Sequence, residues 1–341
     1  YPFAYLKYLL ACAMDRKRNY IPRVKLCLDR LEEYCRGSEC RDEMREMVLG
    51  EICMVRSRIS FNDIAVMAEY AGKSAEFFGG GCSCIVTRDA FCTQGMSFAE
   101  STDGCGIGCD SLAASEAALE TGAWEQAELH AYKAYFKAKA AEQLGIMISS
   151  KLVLDRLNLI QGSSRDRILS NSTLKDEVIA ANNPVLNTTF DLCGAYINGC
   201  LGRVDSIPEW IRKGDIEKGN FLFQGTGFFY VVYGKCLLLG KKYIELDSLC
   251  ESFSTFLKPF QYHLIRIYFM IYESVTKSYL ESRPRGGEIL KEALKLAEKD
   301  HLIMPFAENT GHVRLMLEAL LKREENPYIR EVLEACRRYS S

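Results

Sequence analysis

Apolar residues recur at spacings of three and four along most of the chain. In residues 21–35, Val24, Leu28, Leu31 and Cys35 form one stripe, and Arg and Glu occupy the other faces. Met44, Val48, Ile52 and Val55 repeat the stripe in residues 41–59; Ile64, Met67, Ala68 and Ala71 carry it through a third segment, for which Ser60 or Asn62 offers an N-cap. A period near 3.6 marks helices with one buried face. Strand-like alternation is scarce, because the longest β-branched and aromatic run, 228–232, flows into a leucine-rich helical stretch. The chain reads as all-α.

Beyond residue 111 the helices fall into pairs. Residues 112–120 form one helix, Thr121-Gly122 a turn, and residues 124–143 a second helix lined by Ala127, Ala131, Ala134, Ala138 and Ala141. Small residues at the seam let antiparallel helices approach closely, and a glycine ends the first of them. Gly286-Gly287 followed by Leu290, Leu294 and Ala297 repeats the spacing. Looser pairs lie between: 185–201 with 207–211, 229–239 with 244–256, and 259–280. The expectation is an α-solenoid, a TPR-like superhelix of antiparallel helix pairs.

One segment breaks the pattern. Gly79, Gly80, Gly81, Gly95, Gly104, Gly106 and Gly108 alternate with Cys82, Cys84, Cys92 and Cys105. Glycine at that density is costly in a helix interior. The expected organisation is N-terminal helical repeats over 1–78, a Gly/Cys-rich irregular connector over 79–110, and C-terminal TPR-like repeats over 111–341.

A net charge of −2 and a pI near 6.2 argue against nucleic-acid binding by this chain, since phosphate neutralisation needs a basic domain or stripe. The most apolar run, 228–239, is interrupted by Lys235 and is too short to cross a bilayer, so no membrane partner is expected. The 15 cysteines are odd in number, and ten of them are dispersed through helices, which fits a reducing cytoplasm where thiols serve as small hydrophobes. The sequons at Asn171 and Asn187 then carry no meaning.

No catalytic motif emerges. Gly72-Lys73-Ser74 ends like a P-loop, but Met67 stands where the earlier glycine belongs and the context is helical. Residues 104–108 lack the strand a dinucleotide fingerprint needs. The four histidines, His130, His263, His301 and His312, are far apart in sequence. Cys82, Cys84, Cys92, Cys105 and Cys109 match tetrathiolate zinc spacing poorly, and no metal ligand is assigned. The expectation is a non-catalytic chain without a cofactor of its own. Aromatics recur on the helices at Tyr132, Tyr135, Tyr196, Trp210, Tyr230, Tyr233, Tyr268 and Tyr272. Most serve inter-helix packing; those that do not, all but Tyr230 taken as candidates together with Asp191, line a concave groove for a ligand.

Several stretches, in order, resemble the C-terminal helical region of LuxR-family, maltose-regulator-like ATP-dependent transcriptional regulators. They are ISFNDI at 59–64, SEAALETG at 115–122, AELHAYKA at 127–134, FDLCG at 190–194, IPEWI at 207–211, Ile267-Tyr268 and MPFAEN at 304–309. The resemblance implies a superhelical sensor that binds a small-molecule effector or a regulatory protein. It also implies an ATP-binding NTPase before the sensor and a DNA-binding helix-turn-helix after it, both outside these 341 residues, with self-association in the full-length protein. The alternatives are a TPR-class scaffold that docks proteins and, further off, a zinc-binding or enzymatic all-α domain.

Overall fold

Helix ends are written into the local sequence. The Asn183 side chain accepts from the N–H groups of Val185 (3.0 Å) and Leu186 (3.4 Å), and Pro184 fills the first turn, where an N–H would have no partner. Ser282 and Pro284 repeat the device toward Arg285 N. Where a third helix was expected to start on Ser60 or Asn62, Asp63 is the cap and accepts from Val66 N at 3.3 Å. The Ser60 hydroxyl instead turns back to Arg56 O, and Asn62 lies outside the described residues. Helices close on a recurrent turn in which an N–H bonds a carbonyl five residues earlier: Ala123 to Ala118, Gln143 to Ala138, Arg203 to Asn198, Lys242 to Leu237 and Leu302 to Ala297.

The computed structural model describes residues 2–13, 20–37, 42–60, 63–79, 83, 107–162, 172–220, 223–257 and 263–340. Among them are seventeen α-helices and no strand. They are α1 (Pro2–Ala13), α2 (Ile21–Arg36), α3 (Asp42–Ile59), α4 (Ile64–Phe78), α5 (Cys109–Glu120), α6 (Trp124–Ala140), α7 (Leu144–Ile160), α8 (Ser172–Ala180), α9 (Pro184–Cys200) and α10 (Glu209–Arg212), followed by α11 (Phe223–Leu239), α12 (Tyr243–Leu257), α13 (His263–Leu280), α14 (Arg283–Glu298), α15 (Met304–Ala307), α16 (Thr310–Arg323) and α17 (Pro327–Ser340). The chain is all-α. No described helix is long and apolar enough to cross a membrane.

Helices α1–α3 pack around their own apolar cluster, which includes Leu6, Leu10, Val24, Leu28, Val48, Ile52 and Val55. Helix α4 lies against both α3 and α5, and its Met67 joins the larger cluster that runs to Cys336. Most of the connector expected at 79–110 lies outside the described residues, including Cys82, Cys84, Cys92 and Cys105. From α5 onward, every second helix forms an inner layer. In that layer α5 touches α7, α7 touches α9, α9 touches α11, α11 touches α13, α13 touches α15, and α15 returns to α5. Helix α17 also packs on α7, and Ile303 N donates to Glu120 O at 2.7 Å. The inner helices thus meet in a closed cycle.

Candidate functional site

Closing the inner layer forces polar side chains into one dry centre. Arg156 on α7 is 1% exposed and lies between two carboxylates. Its Nη1 is 2.7 Å from Glu120 Oε1 at the end of α5, and its Nε and Nη2 donate to Glu308 Oε1 (2.7 Å) and Oε2 (3.2 Å) just after α15. Tyr268 on α13 donates to Glu308 Oε2 at 2.6 Å, Tyr196 on α9 donates to the same oxygen, and the two hydroxyls are 3.0 Å apart. Lys235 on α11 donates to the Glu308 carbonyl at 2.9 Å and to Asn309 Oδ1 at 3.3 Å, while Asn309 Nδ2 is anchored on Pro305 O. Arg156 and Lys235 also flank the Tyr196 ring, 5.7 and 6.0 Å from its centroid. All six inner helices or the turns that end them contribute.

The two carboxylates are driven in opposite directions. Burial pushes Glu308 up, but the fork from Arg156 and the two phenol donors outweigh it and hold the carboxyl below the ordinary glutamate range. Burial also pushes Glu120 up, and there Arg156 is the sole named counterweight while the Glu308 charge adds to the rise. For Arg156 burial disfavours the charge, yet Glu120 and Glu308 together keep it firmly protonated. Burial and the Glu308 charge push both tyrosines far up, so they stay neutral donors.

A groove opens on the outer side of the same elements. It has a volume of about 730 Å³ between α13, α14 and α16, with Val275, Leu315, Met316 and Leu320 as its apolar lining. Charges ring it: Lys291 pairs with Glu324, whereas Arg283 and Arg323 have no carboxylate partner among the described residues. Its His312 is half-buried, and burial and the nearby Lys235 hold the imidazole below its ordinary value. Helix α13 therefore carries Tyr268 in the centre and Val275, Ser278 and Tyr279 in the groove. The segment from Glu308 to Met316 does the same on the facing side.

The residues singled out in sequence are dispersed. Tyr196 and Tyr268 come together at the centre, whereas Tyr272, one turn along α13, donates to Val231 O at 3.0 Å; all three are 0% exposed. Trp210 stacks on Phe229 at 5.7 Å, and Tyr233 on the same ring at 6.4 Å, in a separate cluster under α10. Tyr132 is exposed on α6, Tyr135 is half-buried beside Phe136, and Asp191 is exposed on α9. The sequence reading missed Arg156, Glu120, Glu308 and the groove. Its one hint was Lys235, a charge inside an apolar helix, which demands a buried partner. Among the described residues no disulfide forms, and burial pushes the thiols on α11 and α17, Cys236 and Cys336, up to about 11, away from thiolate chemistry.

Beside Arg156, Asp155 gives a pH signature. Burial raises it to about 6, with Lys151 opposing. The unfolded carboxyl titrates near about 3.9, so between those values the folded chain holds a proton that the unfolded chain releases. This stabilisation is complete below the unfolded value and lost as the pH rises through about 6. Asp155→Asn should therefore gain on the wild type by up to about 3 kcal/mol between about pH 4 and pH 7, on the order of two pKa units. Urea unfolding of both proteins across that range checks it, and a constant difference would remove the role given to Asp155.

No protein-family model and no curated protein matches the chain.

Proposed function

We propose that this chain is a non-catalytic sensor, a TPR-like helical-repeat domain of a LuxR-type transcriptional regulator, whose effector seat is the groove between α13, α14 and α16. The observation that carries the reading is shared structure: α13 and the 308–316 segment line the groove on one side and hold the buried network on the other. A ligand that moves either element must act on interactions that have no solvent to replace them. Such a two-sided element is what an effector needs to bias one arrangement over another.

Repeat architecture is supported by the inner helices, which start at Cys109, Leu144, Pro184, Phe223, His263 and Met304, about every 40 residues. The regulator reading gains from where its signature stretches lie. SEAALETG contributes Glu120, MPFAEN contributes Glu308 and Asn309, and Ile267-Tyr268 contributes Tyr268, so three distant stretches converge on one cluster. ATP and DNA would be handled by parts beyond this segment.

The groove suits a small organic anion. Its volume falls in the range of small-molecule sites, its lining is mainly apolar, and Arg283 and Arg323 offer two cations with no carboxylate partner among the described residues. A thermal-shift screen of amphipathic carboxylates and phosphates should yield a ligand that raises Tm by several degrees at about 100 Kd. Met316→Trp, which fills the groove, and Arg283→Gln/Arg323→Gln should abolish that rise while leaving the helical circular dichroism unchanged. A screen without hits, or a hit indifferent to these substitutions, would overturn the assignment. The scaffold reading rests on a different surface: Leu129, Tyr132 and Phe136 form an exposed stripe on α6, 61%, 46% and 63% accessible, at the spacing an amphipathic partner helix would cover. A scaffold using that stripe has no reason to bind anions in the groove, so the same screen separates the two.

A further inference from the structure

We infer that Asp63, His263 and Asp300 form a divalent-cation site that ties α4 to the start of α13 and to the α14–α15 turn. One donor atom from each lies within 4.8 Å of the other two, and the residues come from three segments far apart in sequence. His263 Nδ1 is 3.8 Å from Asp63 Oδ2 and 3.7 Å from Asp300 Oδ2. Those separations are too long for hydrogen bonds, which need about 2.7–3.2 Å. They come close to the roughly 3–4 Å between neighbouring ligands around an ion bound at about 2.0–2.2 Å.

The local structure presents these donors in the manner of a built site. Asp63 is 8% exposed; its Oδ1 is occupied in capping α4, which fixes the carboxylate and aims Oδ2, which accepts no hydrogen bond among the described residues, toward His263. Asp300 sits immediately before His301, whose left-handed φ of 53° makes the tight turn into α15. Two carboxylates facing one imidazole repel each other without a cation between them, and a divalent ion relieves that repulsion. A cavity of about 420 Å³ lined by Ala65, Gln126, His130 and Asp300 lies alongside, giving an entry path and room for the water ligands that three protein donors leave open. One imidazole nitrogen and two carboxylate oxygens suit Zn²⁺ and its neighbours Co²⁺ and Mn²⁺.

The consequence is mechanical. Three residues beyond Asp300, Ile303 N donates to Glu120 O, and five residues further lies Glu308. A bound ion would clamp the turn that delivers Glu308 to the centre and hold the N-terminal helices against it.

Co²⁺ titration of the metal-stripped 341-residue chain tests this by calorimetry and visible absorption. One equivalent should bind without thiolate-to-cobalt charge-transfer absorption, and it should raise Tm. Asp63→Asn, which still caps α4, and His263→Gln and Asp300→Asn at partly exposed positions should each weaken that equivalent by at least about tenfold and cancel the Tm rise. Any cobalt bound by the cysteines reveals itself through its own band and is counted apart. The proposal is overturned if no thiolate-free equivalent binds, or if one binds with the same affinity in all three variants.

Discussion

Glu308→Ala should lower the unfolding free energy by about 3–5 kcal/mol, because it strands a buried guanidinium and two buried phenols at once. Arg156 would keep only Glu120, and Tyr196 and Tyr268 would lose the carboxylate oxygen they share. Glu308→Gln, which keeps the volume and an acceptor but not the charge, should cost about half as much. Since the network holds Glu308 below its ordinary range, its contribution is fully present at neutral pH and is lost as the pH falls through the lowered value. The acid limb of the stability profile should flatten in the Gln variant. Chemical denaturation across pH measures both effects; a loss below about 1 kcal/mol for the Ala variant would mean that the centre is wet and the charges screened. The combined replacement Glu120→Leu, Arg156→Met, Glu308→Leu should recover most of the stability, as apolar substitutes for buried ion pairs do.

Gly286→Ala should be the next most damaging single change, at about 2–3 kcal/mol from overpacking. A Cβ at that position would press into the Ser274 carbonyl and lie 2.9 Å from Ser278 Cβ. The carbonyl belongs to the α13 backbone, so it moves only if the α13–α14 pair separates. The Ser278 hydroxyl is also committed, donating to Ser274 O at 2.8 Å. Next door, a Cβ on Gly287 meets nothing within 4 Å, so Gly287→Ala should be neutral or stabilising by up to about 1 kcal/mol. Thermal melts of the two variants form a matched pair, and equal behaviour would contradict the close approach. Because α13 and α14 are two walls of the groove, the first variant should also distort the groove's shape.

The all-helical fold was legible because periodicity records burial one helix at a time. The stripes Val24–Leu28–Cys35 and Ala127–Ala131–Ala134–Ala138 are buried as their spacing implied. Helix ends were less readable. The turns after α6, α11 and α14 place Glu142, Lys241 and His301 at positive φ, where composition gives no warning, whereas Gly122 and Gly202 do the same with a residue that announces it. The central site was hidden for a different reason. Its members come from positions 120, 156, 196, 235, 268 and 308, each on a different helix or turn, and only the return of α15 to α5 closes the ring around them. The tyrosines were visible as a class, but whether one packs inward, as Tyr268 does, or outward, as Tyr132 does, depends on which helix faces the closed cycle.

That closure also orders events during synthesis. Helices α1–α3 can gather their own apolar cluster early, since its members lie close together in sequence. Arg156 has Glu120 behind it as it emerges, but its second carboxylate follows 152 residues later, at Glu308. Until then the Nε and Nη2 of Arg156, and the hydroxyls of Tyr196 and Tyr268, lack the acceptor that Glu308 supplies. The last three helices are the keystone: truncation anywhere before α15 leaves an arch that cannot shut.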